Sequence, residues 1–189
     1  NEYYQRLQDL IGLVDLMYKI SKELQIKDGY ERDAAELAFK VLENAYFMDS
    51  GLIERIKKEL KVDVEFLELA DASTIEEYAN SILKYRTEED IKIKTLLYLV
   101  YNHTINGRDK GKELMFISTL SETIHKQEYH TQVLYNRALV QMGILAFKQG
   151  NIFEVQQFLY EMCSIAKMKE STKDVLREFL AQGYIRMFG

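Results

Sequence analysis

The spacing of apolar and polar residues between positions 134 and 162 predicts two helices joined by a tight turn. The first helix is predicted to end at Gly150, and Asn151 is placed to cap the second. Gly143 lies where we expect a side chain to obstruct a close neighbour. The apolar residues recur at three- and four-residue steps. They are Leu134, Ala138, Val140, Met142, Ile144, Leu145, Phe147, Ile152, Val155, Phe158, Leu159 and Met162. The segment is therefore predicted to be a helical hairpin.

This hairpin carries a degenerate tetratricopeptide-like spacing. Leu139 replaces the usual early aromatic residue, and Val155 stands where alanine is typical. The signature residues are Met142, Gly143, Phe147, Gly150, Val155 and Leu159. A unit of this kind cannot bury its apolar face alone, so we expect neighbouring hairpins on both sides of it.

Similar periodicity along the rest of the chain predicts further helices and a division of the chain into three parts. The helices are predicted at 2–26, 31–48, 74–86, 87–105, 108–126 and 171–188. Ser73 or Thr74 suits the start of the third of these helices. Weaker patterning makes 51–73 a variable connector between an N-terminal helical pair at 1–50 and a repeat array at 74–189. The predicted fold is all-α, a superhelical array of antiparallel helical hairpins.

Each of these helices has apolar positions that we expect to be buried. Those of the helix at 2–26 are Tyr3, Leu7, Leu10, Ile11, Val14, Leu16, Met17, Ile20, Leu24 and Ile26. Those of the helix at 108–126 are Leu114, Phe116, Ile117, Leu120 and Ile124. The composition also favours helix, since the 189 residues include 0 prolines and only 9 glycines.

The formal net charge of -5 means that binding to nucleic acid or to a membrane has to be argued from a local patch. The best patch is the run Arg108, Lys110 and Lys112 in a glycine-bearing turn between two helices. Loops of stacked hairpins lie along common edges, so this run is a candidate contact for RNA or for an acidic partner surface. A solvated turn explains three charges equally well. Lys167 and Lys169 form a smaller basic pair.

No residue pattern in the sequence predicts an enzyme, a metal site or a cofactor site. His125 and His130 are not spaced as metal ligands on one helix face, and His103 has no ligand cluster beside it, so structural or surface roles are expected. Nucleotide-binding, hydrolase and metalloprotease motifs are absent. Cys163, the single cysteine, is expected to be a buried, inert thiol. A single cysteine has no partner for a disulfide within the chain, and the sequence lacks a long apolar run. Both features favour a cytoplasmic location.

Two stretches carry a resemblance to a known family. They are LYNRALVQMGILAFKQGN at 134–151 and IKTLLYLVYNHTINGRDKGKELMFISTLSETI at 93–124. With these motifs in this order and separation, the chain resembles the family of the c-type subunit of eukaryotic translation initiation factor 3. Residues 51–72 and 167–183 depart from the family pattern. The missing initiator methionine predicts a piece of a longer chain.

The resemblance implies a non-enzymatic scaffold that leads into a PCI module. Its implied partners are other initiation factor 3 subunits, notably the a-type subunit, and the small ribosomal subunit with its ribosomal RNA, with no cofactor, metal, membrane or small-molecule substrate. Arg108, Lys110 and Lys112 are then the expected ribosome or partner contact. Two alternatives share the architecture: a helical-repeat arm of a proteasome-lid or signalosome PCI subunit, and a free-standing peptide-binding repeat protein. The second predicts a groove lined by polar residues, whereas the strong positions here are apolar.

Overall fold

The computed structural model describes residues 2–61 and 64–166 of the chain. The α-helices of this part are α1 (Glu2–Gln25), α2 (Glu31–Ala45), α3 (Ser50–Leu60), α4 (Ala72–Tyr85), α5 (Glu89–Ile105), α6 (Lys110–Ile117), α7 (Leu120–Thr123), α8 (Tyr129–Lys148) and α9 (Ile152–Ala166). Two 3-10 helices span Glu65–Ala70 and Ile124–Lys126. Because no strand occurs among these residues, the all-α prediction is confirmed for them. The predicted helix at 171–188 and the pair Lys167 and Lys169 lie outside the described residues.

Side-chain caps fix the starts of three helices. Asp49 caps α3 and Asp71 caps α4, each accepting a hydrogen bond from the backbone N–H three residues later, at 2.7 and 3.1 Å. Asn151 caps α9 in the same way at 3.2 Å, as predicted. The prediction that Ser73 or Thr74 starts α4 is wrong, because Asp71 holds that position and both hydroxyls donate to its carboxylate.

The helices pack in a series that follows the chain. Helix α1 packs on α2, α2 on α4, α4 on α5, α5 on α8 and α8 on α9, while α6 packs beside α5. One cluster of buried apolar side chains runs through all of these pairs. It includes Val14 and Tyr18 of α1, Val41 and Leu42 of α2, Ile75 and Ile82 of α4, Leu97 and Val100 of α5, Tyr135 and Leu139 of α8, and Phe158 of α9.

The segment predicted as a variable connector contributes to this core. Phe66 of the 3-10 helix Glu65–Ala70 is 1% exposed. Its backbone N–H donates to the buried carboxylate of Asp15 at 3.1 Å, and the Tyr18 hydroxyl donates to Glu68. These bonds fasten the segment to α1. The division into parts at 1–50, 51–73 and 74–189 stays a prediction.

Helix α1 buries a narrower face than predicted. Ile11, Val14 and Tyr18 are buried, but Leu10, Leu16 and Ile20 are exposed. The reason is that α1 packs against α2 and the 3-10 helix Glu65–Ala70 on one side only. An apolar stripe therefore remains uncovered along α1.

The prediction of one continuous helix at 108–126 is wrong. Thr119 has a left-handed backbone with φ of 50°, and the chain breaks there into α6, α7 and a 3-10 turn. Phe116 and Ile117, which we expected in the core, are 61% and 77% exposed. They lie at the end of α6, which packs beside α5.

The predicted hairpin at 134–162 is present as α8 and α9, with Gly150 in the left-handed conformation at the turn (φ of 75°). Two of its signature residues are not core residues, because Phe147 is 65% and Leu159 47% exposed. Helix α9 packs on α8, so only one side of it is covered by that contact. Met142 is buried and Val155 half-buried.

Two further expectations for the hairpin are wrong. A Cβ atom on Gly143 would lie 3.8 Å from Cβ of Phe158, which is an ordinary contact, so a small side chain fits there. Cys163 is exposed and not buried. Cys163 is exposed because α9 presents one side to α8 and the other outward.

Candidate functional site

The first cation of the predicted basic run is used inside the fold. Arg108 is half-buried, and its Nη1 donates to the carbonyl of Ala70 at 2.8 Å. Its Nη2 donates to Oδ1 of Asn102 at 2.7 Å. Burial lowers the pKa of Arg108 from its usual value, but the group stays charged at neutral pH. Arg108 therefore ties the end of the 3-10 helix Glu65–Ala70 to the end of α5.

The other two cations lie on α6 and not in a loop. Nζ of Lys112 is 2.9 Å from both carboxylate oxygens of Glu154 on α9, and both side chains are mostly covered. Lys110 lies 3.6 Å from Glu113 in its own helix, with both side chains largely exposed. Of the three predicted contact residues, only Lys110 presents an accessible charge.

A buried polar network surrounds Arg108. Asn102, besides accepting from Arg108, donates through Nδ2 to the carbonyl of Tyr46 at 3.3 Å. Asn106 donates to the Asn102 carbonyl at 2.9 Å and accepts from the backbone N–H of Ser50 at 3.1 Å. The network joins the C-terminus of α2, the N-terminus of α3 and the end of α5.

Sequence reasoning missed this network, although it left a signal. Asn102, His103 and Thr104 are three consecutive polar residues that follow the apolar run 96–101 of α5, and all three are buried. Buried polar groups need partners. A polar triplet at such positions, followed by Arg108, indicates an internal network.

His103 belongs to the same buried region. Its side chain is fully buried, and its Nε2 lies 3.1 Å from Oε1 of Glu76. Burial, and then the positive charge of Arg108, lower the pKa of His103, so the imidazole is neutral at pH 7. His125 and His130 are exposed. Within residues 2–61 and 64–166, no group of three or more His, Cys, Asp or Glu side chains is placed to hold a metal ion.

A tight glycine packs against this region. A Cβ atom on Gly111 would lie 2.6 Å from Oγ1 of Thr104 and 2.7 Å from the carbonyl oxygen of Val100. The first turn of α6 can therefore approach α5 only with glycine at this position. The sequence pointed to Gly143 for such a contact, whereas the structure places it at Gly111.

Two apolar surfaces are uncovered in the described part of the chain. The α1 stripe consists of Leu10, Leu13, Leu16 and Ile20. The α6/α9 groove has a volume of about 690 Å³ and is lined by aromatic side chains with two glutamines between them. Its lining residues are Phe116, Phe153, Gln156, Gln157, Phe158, Tyr160, Glu161 and Ser164. Exposed apolar surfaces of this kind are typical of sites that contact other proteins.

No helix of the described residues combines the length and the apolar character that crossing a membrane requires.

Comparison with known proteins gives one consistent result. The sequence profile described as "Eukaryotic translation initiation factor 3 subunit 8 N-terminus" matches residues 1–186. Among curated relatives, each named as the C-type subunit of eukaryotic translation initiation factor 3, the protein of Botryotinia fuckeliana is 29% identical over 188 residues, covering 89% of this chain and 22% of the relative. The Dictyostelium discoideum protein is 28% identical over 188 residues, covering 94% and 19%. The Culex quinquefasciatus protein is 24% identical over 187 residues, covering 98% and 19%.

The chain thus spans about a fifth of the length of these relatives. The family description names a subunit of an initiation factor and no enzymatic activity, in agreement with the prediction that the chain is not an enzyme. The resemblance found in the motifs at 93–124 and 134–151 is confirmed by a match over nearly the whole sequence. The chain belongs to the family formed by the N-terminal region of the C-type subunit of eukaryotic translation initiation factor 3.

Proposed function

We propose that this chain is a non-enzymatic scaffold segment of the eukaryotic translation initiation factor 3 complex, acting in the cytoplasm. Its hairpins form a superhelical array that leads toward a PCI module, contributes to the assembly of the complex, notably with the a-type subunit, and helps to bind the small ribosomal subunit. The observation that carries this proposal is the family match over residues 1–186.

The packing of the described helices fits such a role. A scaffold needs a rigid body with exposed contact surfaces, and here one apolar core connects α1 through α9. The α1 stripe and the α6/α9 groove belong to helices far apart in the packing series, so they provide two separate surfaces for protein contacts. We assign the contacts with sister subunits to these surfaces.

Two of the three cations in the predicted contact run are not accessible to a partner. Arg108 and Lys112 are engaged inside the fold, so the ribosome or partner contact predicted for Arg108, Lys110 and Lys112 is reduced to Lys110. A single exposed lysine adds little affinity for a polyanion. A contact with ribosomal RNA therefore requires cations elsewhere on the surface.

Affinity purification of the full-length protein followed by mass spectrometry tests the scaffold role. We expect initiation factor 3 subunits and proteins of the small ribosomal subunit to co-purify. Leu13→Glu with Leu16→Glu in the α1 stripe, or Phe153→Glu with Tyr160→Glu in the α6/α9 groove, should each remove a subset of subunits. Ile26→Glu is the matched control, because Ile26 is 85% exposed and lies beyond the end of α1.

Purified material that lacks initiation factor 3 subunits and small ribosomal proteins would contradict the proposal. Recovery of proteasome-lid or signalosome subunits instead would favour the first alternative interpretation. If both surface variants purify the same subunits as the Ile26→Glu control, the scaffold role stands but the two apolar surfaces are not its contacts.

A further inference from the structure

Helix α3 and the residue that follows it carry a group of cations that the fold leaves unused. Arg55, Lys57, Lys58 and Lys61 are all exposed. None of the four takes part in an ion pair, a hydrogen bond or a ring contact recorded for the described part of the chain. This differs from Arg108 and Lys112, whose side chains have hydrogen-bond or ion-pair partners inside the fold.

These four cations lie at exposed positions on α3 and at its C-terminal end. Ile53 and Ile56 are buried, and Asp49 caps the first turn. The backbone N–H of Ser50 donates to Asn106, which links α3 to the polar network around Arg108. Apolar and polar contacts therefore connect α3 to the rest of the described fold.

The cations are spread over the outward half of α3 and its C-terminal end. Arg55 and Lys58 are three residues apart, so their side chains are neighbours, whereas Lys57 lies on the other flank of the outward half. Lys61 follows the last turn of α3 and has a left-handed backbone with φ of 50°. From Arg55 to Leu60, the last residue of α3, the helix rises about 7.5 Å. Two carboxylates, Glu54 and Glu59, share the helix, so the segment keeps an excess of positive charge in an acidic chain.

Elsewhere in the described part of the chain, cations without a recorded partner occur singly. They are Lys27, Lys92, Lys126 and Lys148, each on a different segment. A polyanion gains affinity from several cations that it can reach together, because each contact releases counterions. Among described residues, the outer face of α3 meets this condition best.

We propose that the outer face of α3, formed by Arg55, Lys57, Lys58 and Lys61, binds the phosphate backbone of RNA. This refines the contact with the small ribosomal subunit proposed above and rests on that proposed function. Phosphate contacts require cations and no apolar pocket, and they position a protein without reading sequence. The outward face of α3 has that composition.

Other polyanions fit this face less well. An acidic protein partner usually needs an apolar or aromatic anchor at the centre of the interface, and the apolar residues of α3, Ile53 and Ile56, are buried. An anionic membrane needs the apolar face of an amphipathic helix to insert, and the same burial removes that face.

The test is fluorescence anisotropy of the full chain with a labelled RNA duplex, measured over a range of salt concentrations. The variant K57Q/K58Q/K61Q should bind at least about tenfold more weakly, with a salt slope that is smaller by roughly 2 to 3. The control K92Q/K126Q/K148Q has the same net charge and should bind within about twofold of wild type. E54Q should bind more tightly than wild type.

Several results would overturn the proposal. These are unchanged binding by the α3 variant, an equal loss in the control variant, or a polyglutamate probe or anionic vesicles binding as tightly as RNA. Circular dichroism melting curves should be the same for all variants, since the substituted side chains are exposed. Co-purification of initiation factor 3 subunits by K57Q/K58Q/K61Q, after ribonuclease treatment, separates a failure of RNA binding from a failure of the scaffold role.

Discussion

Arg108, Lys110 and Lys112 form the more conspicuous basic run in the sequence, but the cations of α3 are the ones without internal partners. The run lies where three helices meet, so Arg108 bonds to Ala70 and Asn102, and Lys112 pairs with Glu154. Helix α3 instead turns its charged side away from the core. A basic run therefore indicates an available surface only when neighbouring elements do not already bind its side chains.

The largest effect that separates the two groups is expected at Arg108. Arg108→Ala removes two charge-assisted hydrogen bonds and should lower the free energy of unfolding by about 2–3 kcal/mol. Arg108→Lys should lose most of the same stability, because an ammonium group cannot make both of these hydrogen bonds. Lys58→Ala should leave stability unchanged. Urea unfolding of the three variants measures these differences. Equal stability of Arg108→Ala and Lys58→Ala would mean that Arg108 contributes no more to stability than the exposed Lys58 does.

The close approach of α6 to α5 gives the next effect. Gly111→Ala places a methyl group 2.7 Å from the Val100 carbonyl and should cost about 1–3 kcal/mol. Gly143→Ala is the matched control, since the new methyl meets Phe158 at an ordinary distance of 3.8 Å. The control should stabilise the chain by about 0.5–1 kcal/mol through helix propensity. Thermal unfolding followed by calorimetry measures both, and the reverse order would refute the placement of α6.

A smaller effect on stability is expected from the ion pair between Lys112 and Glu154. A double-mutant cycle with alanine at both positions should give about 0.5–1 kcal/mol, since the pair is bidentate and only partly exposed. The same cycle for Lys110 and Glu113 should give no measurable coupling, because both side chains are largely exposed. Equal coupling energies would show that Lys112 is as free as Lys110.

The last effect is confined to acidic solution. Burial and Arg108 lower the pKa of His103 in the folded state, so the unfolded chain binds a proton first as the pH falls through about 6.5. Glu76 opposes this shift and Lys110 adds to it. The contribution of His103 to stability should therefore be present above pH 6.5 and decline below it. Between pH 7.5 and 5, the free energy of unfolding should depend less on pH in His103→Gln than in the wild-type chain. The exposed control His125→Gln should keep the wild-type pH dependence. The opposite pattern would contradict the burial of His103.

Much of the helical structure could be predicted because its causes are local. The periodicity at 134–162 and the Gly150-Asn151 turn depend on residues a few positions apart, and both correspond to α8, its turn and α9. The family resemblance was also readable from contiguous motifs. Local patterns do not say which side of a helix meets a neighbour, so Phe116 and Phe147 were expected in the core although both are exposed.

The properties of the predicted site depend on tertiary neighbours. The partners of Arg108 and Lys112 are Ala70 and Glu154, which lie 38 and 42 residues away along the chain, and no local signal identifies them. The availability of the α3 cations depends equally on the absence of such neighbours among the described residues. The polar triplet at Asn102 was readable in the sequence, but its partners in α2 and α3 were not.

The most direct test of this difference is competitive acetylation of lysine side chains in the folded chain, read by mass spectrometry. Lys57, Lys58 and Lys61 should react fast, and Lys112 should react slowly until Glu154→Gln removes half of its ion pair. The reactivity of Lys110 should be close to that of the α3 lysines. If Lys112 reacts as fast as Lys58 in the wild-type chain, the two basic groups do not differ in the way that the structure requires.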